Sequence, residues 1–186
     1  MTSARSRLLK FTPSRPRRPE ITGTASGVDP TPRRALGRVL HVLGRGPGAR
    51  WFMRAHTDLL YRTRGRFPRR WFGARLILLE TTGRRTGRVR RNAIVAVAHR
   101  DGWIVTTANA GLDWRPSWAY NLDAAQDAAL YAAGRRYNVH REQLTDRAAQ
   151  ALWQEYLRHV PTVVHFQTIA NRPFDIYLLH KDAGEH

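Results

Sequence analysis

Between Arg75 and His180 the apolar residues come in short bursts separated by turn residues. RLILLE, NAIVAVAH, WIVTTAN, AALYAA and YNVHREQL have strand length and are rich in β-branched or aromatic residues. TGRRTG, RDG and AGR supply the glycine-containing turns that hairpins use. FDIYLLH predicts a last strand. Helical spacing appears elsewhere. Leu36, Val39, Leu40 and Leu43 follow it until GRGPG at 44–48, and a second piece over roughly 49–62 carries Trp51, Phe52, His56, Leu59 and Leu60. DRAAQALWQEYLRHV, preceded by Thr145 as N-cap, places Ala149, Leu152, Trp153, Tyr156 and Leu157 on one side. FPRRWFG (67–73) marks the change from helical to strand patterning, and VVHFQTIANR after Pro161 reads only as a short segment. The pattern predicts an α+β, mainly β, fold: a small barrel of five to six mostly antiparallel strands with flanking helices.

A chain of 186 residues has room for one modest core with appendages. Residues 1–34 are dominated by Pro, Arg, Ser, Thr and Gly and predict a disordered basic tail, with an organellar transit peptide as the second reading. An N-terminal helical segment over 35–73 and a barrel domain over 74–182 complete the expected plan. The absence of cysteine excludes disulfides, thiolate metal sites and cysteine nucleophiles. No apolar run approaches the roughly 20 residues that span a bilayer, so a cytoplasmic protein is expected, with peripheral contact to the inner face of the membrane as an option.

The formal charge of +18 is unevenly spread: residues 1–36 hold eight basic and two acidic residues, 37–92 fifteen and two, and 93–186 nine and ten. Only Lys10 and Lys181 are lysine. Such arginine preference, beside abundant Ala and Gly, also follows from a GC-rich coding sequence without any ligand. The dense local cluster says more. TTGRRTGRVRRN (81–92) holds five arginines, two glycines and no acid. Gly83 and Gly87 allow tight turns with exposed N–H groups, while Arg84, Arg85, Arg88, Arg90 and Arg91 supply guanidinium forks, good chemistry for phosphate or carboxylate. A solvated hairpin with a charged tip is the plainer alternative.

Familiar catalytic constellations are weak. The eight histidines form no HxxxH pair, so no metal site is expected, and His99, His140 and His165 read as strand or loop residues. GxSxG, GxGxxG and a Walker ending are missing. The chemistry, if any, must come from a cofactor. TTANAGLDWRPSWAYNL (106–122) leaves a strand and enters a helix primed by Pro116, with Trp114, Trp118, Tyr120 and Asn121 close together. Such a block suits a flat heterocycle with an anionic tail; ordinary core packing is the alternative for the tryptophans.

LLETTGRRTGRVRRNAIVAVAHRDGWIVTTANAGLDWRPSWAYNL resembles the deazaflavin-dependent nitroreductase family, whose members bind coenzyme F420 and carry a TTGRKTGxxR hairpin, an SN-x-G loop and a P-x-W-x-x-N helix start. HFQTIANRPFDIYLL is similar to the family's closing segment, so the resemblance covers about 75–180. It implies a split β-barrel with an F420-binding domain over 74–182. F420 has a flat deazaflavin ring, a ribityl chain, a phosphate and an oligoglutamate tail. By position, Arg84, Arg85, Thr86 and Gly87 would meet the tail or phosphate. Arg90, Arg91, Asn92, Ala93, Ile94 and Val95 would run along the ribityl chain and ring. Thr106, Thr107, Ala108 and Asn109 would flank the ring through backbone groups. Ser117, Trp118, Ala119, Tyr120 and Asn121 would close the phosphate side, and Phe166 would approach the ring. FMN in the same barrel is the alternative cofactor; the many arginines favour the more acidic one.

Three departures bear on the acceptor. Ala108 replaces a serine common near the reactive edge, Val163 and Phe166 stand where nitro- and quinone-reducing members have tyrosines, and Ala170, Asn171, Arg172 replace T-D-R. The resemblance implies an oxidoreductase passing hydride from reduced F420 to a small-molecule acceptor, a quinone, nitro compound or other flat electrophile. Tyr120, Tyr137 and Thr107 are the candidates for proton delivery. The competing expectation is a non-catalytic basic module binding nucleic acid or anionic membrane through residues 1–92. Nucleic acid is disfavoured because the loop arginines lack interleaved aromatics for stacking. Oligomeric state is left open.

Overall fold

The computed structural model describes residues 48–66, 70–71 and 74–182. The expected tail over 1–34 and the helical piece at Leu36–Leu43 lie outside the described residues.

The chain runs α1 (Ala49–Arg62), β1 (Arg70–Trp71), β2 (Ala74–Thr82), β3 (Val89–His99), β4 (Gly102–Thr106), a 3-10 turn (Asn109–Gly111), α2 (Ser117–Ala125), β5 (Asp127–Ala132), β6 (Arg135–Arg141), α3 (Asp146–His159), α4 (Val163–Ile169) and β7 (Ile176–Lys181). All strand pairs are antiparallel, in the order β1-β2-β3-β4-β7-β6-β5. The sheet closes because β2 also pairs β5 through Leu78↔Tyr131, Leu79↔Leu130 and Glu80↔Ala129. The two-residue β1 precedes β5 along that same edge of β2. Strand β3 turns the corner of the barrel: residues up to Ala96 pair with β2, and Ala96 to His99 pair with β4.

Two-residue periodicity explains the layers. Ile77 and Leu79 face the barrel interior with Ala96, Val105, Leu130, Val139 and Leu179. Leu76 and Leu78 face outward under Leu60 of α1. Both faces of β2 are covered, which is why LILL reads as an unbroken apolar run rather than an alternating one. Trp118, Ala119 and Leu122 of α2 plug the interior. On the opposite outer face, α3 and α4 bury Trp153, Tyr156, Val163 and Phe166 against Val97, Ile104 and Leu178.

Local chemistry sets the ends of these elements. The Thr145 hydroxyl accepts the Ala148 N–H at 3.3 Å and caps α3. Ala133 and Gly134, at φ 52° and 90°, form the tight β5–β6 turn, consistent with a type I′ hairpin. The Gly134 N–H donates to the Arg64 carbonyl, so the end of α1 is fastened to that turn. VVHFQTI, patterned only as a short segment, is a seven-residue helix. WIVTTAN stops being strand at Thr106 and enters the 3-10 turn: the Thr107 N–H bonds the Asp175 carbonyl just before β7, and the Gly111 and Leu112 N–H groups bond back to the carbonyls of Ala108 and Asn109.

Candidate functional site

The β2–β3 turn carries the arginine cluster. The Gly83 N–H donates to the Arg88 carbonyl at 2.9 Å and the Gly87 N–H to the Gly83 carbonyl at 2.8 Å, drawing the loop into a compact knot. The Arg84 N–H donates to Asn121 Oδ1 at 3.2 Å, and Asn121 Nδ2 donates to Thr81 Oγ1 at 3.1 Å. Asn121 is buried, so this link is sheltered from water and fixes the loop against α2. The hairpin and the WRPSWAYN helix start, 37 residues apart in the chain, therefore form one surface.

Electrostatics divide the arginines. Arg91 Nε bonds Glu80 Oε1 at 2.7 Å and its guanidinium lies 3.8 Å from the Tyr61 ring centroid. Donating this hydrogen bond to Glu80 raises the Arg91 pKa. This arginine is thus committed to the outer wall, on the side of Ala93 and α1. Among the described residues, Arg84, Arg85, Arg88 and Arg90 have no acidic partner, and all four are exposed. Arg84 stacks 4.8 Å from the Tyr120 ring centroid, and Arg115 lies 4.5 Å from it. Ser117 is exposed at the first turn of α2, and its helix N-terminus carries no side-chain cap. A surface with four unneutralised guanidiniums and uncapped helix N–H groups attracts an anion.

Below Tyr120 lies a buried ionic node. Arg115 Nε bonds Asp175 Oδ2 at 2.6 Å, and its Nη2 bonds Asp123 Oδ2 at 2.7 Å and the Tyr177 hydroxyl. Tyr177 donates to Asp123 Oδ1 at 3.1 Å, which also receives Arg141. Burial opposes the charge on Arg115, but the carboxylates outweigh it and raise its pKa; burial likewise pushes the Tyr177 phenol up. Beside the node opens a cleft of about 460 Å3 lined by Asp113, Trp114, Arg115, Tyr120, Arg172 and Pro173. Periodicity gives no hint of Arg115, Asp123 or Asp175: Arg115 and Asp175 lie in the loops just before α2 and β7, and Asp123 lies within α2.

The backbone after β4 is unusual. Ala108 is right-handed helical (φ −54°, ψ −35°), while Asn109 and Ala110 are left-handed at φ 46° and 52°. Consecutive non-glycine residues in this region cost free energy and mark a loop held by its surroundings. Thr106 Oγ1 donates to the Asp175 carbonyl at 2.9 Å, and Thr107 Oγ1 accepts the Asp175 N–H at 2.8 Å. A Cβ on Gly111 would lie 2.7 Å from the Ile169 side chain, so α4 packs directly on the turn.

Other expected site residues take different places. Val95, Ala108 and Phe166 meet in the outer core, while Ile94 lines the interior. Trp118 and Ala119 point into the barrel core, with Trp118 edge-on to Tyr177 at 5.8 Å, so neither offers a side-chain face to a ligand as expected. The aromatic faces at this surface are Tyr120 and Trp114. Thr107 is fully buried with its hydroxyl engaged by Asp175, which removes it from proton delivery. Tyr137 packs on Trp103 at 4.8 Å, near the start of β4 and away from the loop that follows it. Tyr120 is the exposed member of the three proton-delivery candidates. Among the described residues no group of three or more His, Cys, Asp or Glu could hold a metal ion, and no helix is long and apolar enough to cross a membrane.

A closed six-stranded antiparallel barrel bearing a cationic hairpin beside a strained loop defines the class: a split-barrel protein. The sequence profile described as F420H(2)-dependent quinone reductase matches residues 51–181, and the chain belongs to that family. It is thereby an F420-dependent oxidoreductase, and F420 rather than FMN is the cofactor its family uses. The F420H(2)-dependent quinone reductases of two Mycobacterium tuberculosis strains, H37Rv and CDC 1551, are each 28% identical over 132 residues, covering 68% of this chain and 88% of theirs. A solved structure described as a domain-swapped dimer matches with a TM-score of 0.54 at 16% identity, covering 69% of this chain and 97% of that one, and shares its fold.

Proposed function

We propose that this protein reduces quinones with reduced F420, and that the hairpin, the start of α2 and the loop after β4 hold the cofactor. The observation that carries the reading is the set of exposed guanidiniums of Arg84, Arg85, Arg88 and Arg90, without an acidic partner among the described residues, on a hairpin whose backbone is fixed against α2 through Asn121. They suit the phosphate and oligoglutamate tail. Thr86, Gly87 and Ser117 complete that anionic end, and Asn92 continues along β3. When bound, the cofactor supplies a hydride for the acceptor. The protein's part is to orient ring and acceptor and exclude water, as expected when the cofactor carries the chemistry. Val95, Ala108, Val163 and Phe166 pack together in the outer core, so the protein beside the 107–112 turn is apolar and these four side chains bring no hydroxyl to it. Apolar surroundings of this kind favour a flat apolar quinone, which binds through burial and stacking.

Cofactor fluorescence titrations test the binding surface. Arg85→Ala or Arg90→Ala should weaken F420 binding by about 10- to 100-fold, because a charge-assisted hydrogen bond contributes roughly 1.5–3 kcal/mol. The affinity of the unaltered protein should also fall with added salt. Unchanged affinity in both variants removes the hairpin from the site.

Parallel assays with reduced F420 test the acceptor. A menadione-like quinone should turn over and bicyclic nitroimidazoles scarcely, since few donors are present to stabilise a developing nitro-group anion. Faster nitro turnover would contradict the assignment. Peripheral membrane contact is a separate reading: α1 exposes Trp51, Ala55 and Leu59 at four-residue spacing with Arg54 and Arg62 alongside. Binding to anionic vesicles that Trp51→Ala weakens would support it.

A further inference from the structure

The segment between α4 and β7 contains one arginine whose bonding pattern differs from that of the others. Among the described residues, Arg172 forms no ion pair. Its Nη2 bonds the carbonyl of Thr107 at 2.5 Å and that of Ala108 at 3.5 Å, the latter at the limit of a hydrogen bond. Its Nε bonds the Leu112 carbonyl at 3.0 Å and Nη1 the Pro173 carbonyl at 3.3 Å. The guanidinium is half-buried, and desolvation lowers its pKa. One cation thus bridges both ends of the left-handed turn.

The turn has the shape of an anion cradle. A right-handed residue followed by a left-handed one, as at Ala108 and Asn109, makes successive N–H groups converge into a concavity. Among the described residues the N–H groups of Ala108 and Asn109 have no acceptor, although Ala108 is buried. A buried N–H without a partner is costly, and native proteins keep few of them. The carbonyls that Arg172 holds belong to the same peptide units as these two N–H groups, so its charge strengthens them as donors.

We propose that Arg172 is a positioning residue for the cofactor: it locks residues 107–112 in the concave turn, so that the Ala108 and Asn109 N–H groups receive an electron-rich oxygen of the flat heterocycle. This rests on the F420 reading above. A hydride taken up without its accompanying proton would leave the ring one negative charge richer than its oxidised form. A cradle backed by a cation would hold that anionic reduced form more tightly than the oxidised one, and would to that extent raise the reduction potential of the bound pair.

Two readouts on Arg172→Gln test this. In the cofactor-free protein, amide exchange of Ala108 to Asp113 should speed up by about tenfold or more, since the turn loses its cross-link. F420 binding should weaken by roughly tenfold, and more for the reduced than for the oxidised form. Arg85→Ala, by contrast, should weaken binding without altering exchange in this loop. Arg172→Lys keeps the charge but not the fork, and should fall between the two; it is the variant to measure if the glutamine form does not fold. Loop exchange or reduced-form affinity equal to that of the unaltered protein in the folded variant overturns the proposal. Failure of the unaltered protein to bind F420 at all is a distinct result, which overturns the cofactor reading itself.

Discussion

Arg115→Leu should lower the unfolding free energy by about 3–5 kcal/mol, the usual cost of removing one partner from a buried ion pair. The side chains of Arg115 and Asp175 are only 10% and 16% exposed, so water cannot replace the lost guanidinium at Asp175. Asp123 is 38% exposed and will be partly rescued by solvent. Adding Asp175→Asn to the leucine variant should recover a large part of the loss, because the stranded charge is then gone. Urea unfolding of both variants measures this; a leucine variant within about 1 kcal/mol of the parent would show that the node is dispensable. The same change removes a support of the Tyr120 ring, so F420 affinity should fall alongside stability.

Gly102→Val should be the most damaging single change, with a loss beyond about 4 kcal/mol or failure to fold. Gly102 sits at φ 159° where β3 hands over to β4, and a Cβ there would lie 1.9 Å from the Leu179 carbonyl oxygen. That oxygen is backbone of the paired strand β7, so no side-chain rotation relieves the clash, and the β4–β7 ladder must separate. Gly48→Ala is the control, because a Cβ there meets nothing within 4 Å and the cost should be about 1 kcal/mol or less. Soluble yield and the urea midpoint of the two variants decide the comparison.

Much of the barrel is legible from the chain because burial on alternate faces is local information. LILL, IVAVA and WIV mark strands whatever they pair with, and Thr145 announces α3 through its cap. Helix α4 is not legible: VVHFQTI spans under two turns and is rich in β-branched residues, so its period cannot be separated from that of a strand. It is helical because Val163 and Phe166 pack beside α3 and β7, a tertiary effect. The candidate site divides in the same way. The arginine cluster and the PSWAYN helix start are visible as motifs. That Arg91 is spent on Glu80, that Trp118 turns inward, and that Arg115 and Arg172 tie distant segments together depends on contacts between residues far apart in sequence.

The β4–β7 pairing has a consequence for how the molecule is made. The arginine hairpin joins neighbouring strands and can form in about 1–10 μs once β2 and β3 are free to meet. Its companion loop is different: Thr107 is held by Asp175, 68 residues downstream. Closing such a separation before any contact rewards it slows folding. On the ribosome, chain order reinforces the delay, because β7 is the last of the described strands to emerge. A nascent chain therefore displays its cationic hairpin well before it has the clasp around the 107–112 turn. On the proposed cofactor site, productive loading waits for β7, and a chain truncated before Phe174 keeps the charge that attracts anions but not the frame around the 107–112 turn.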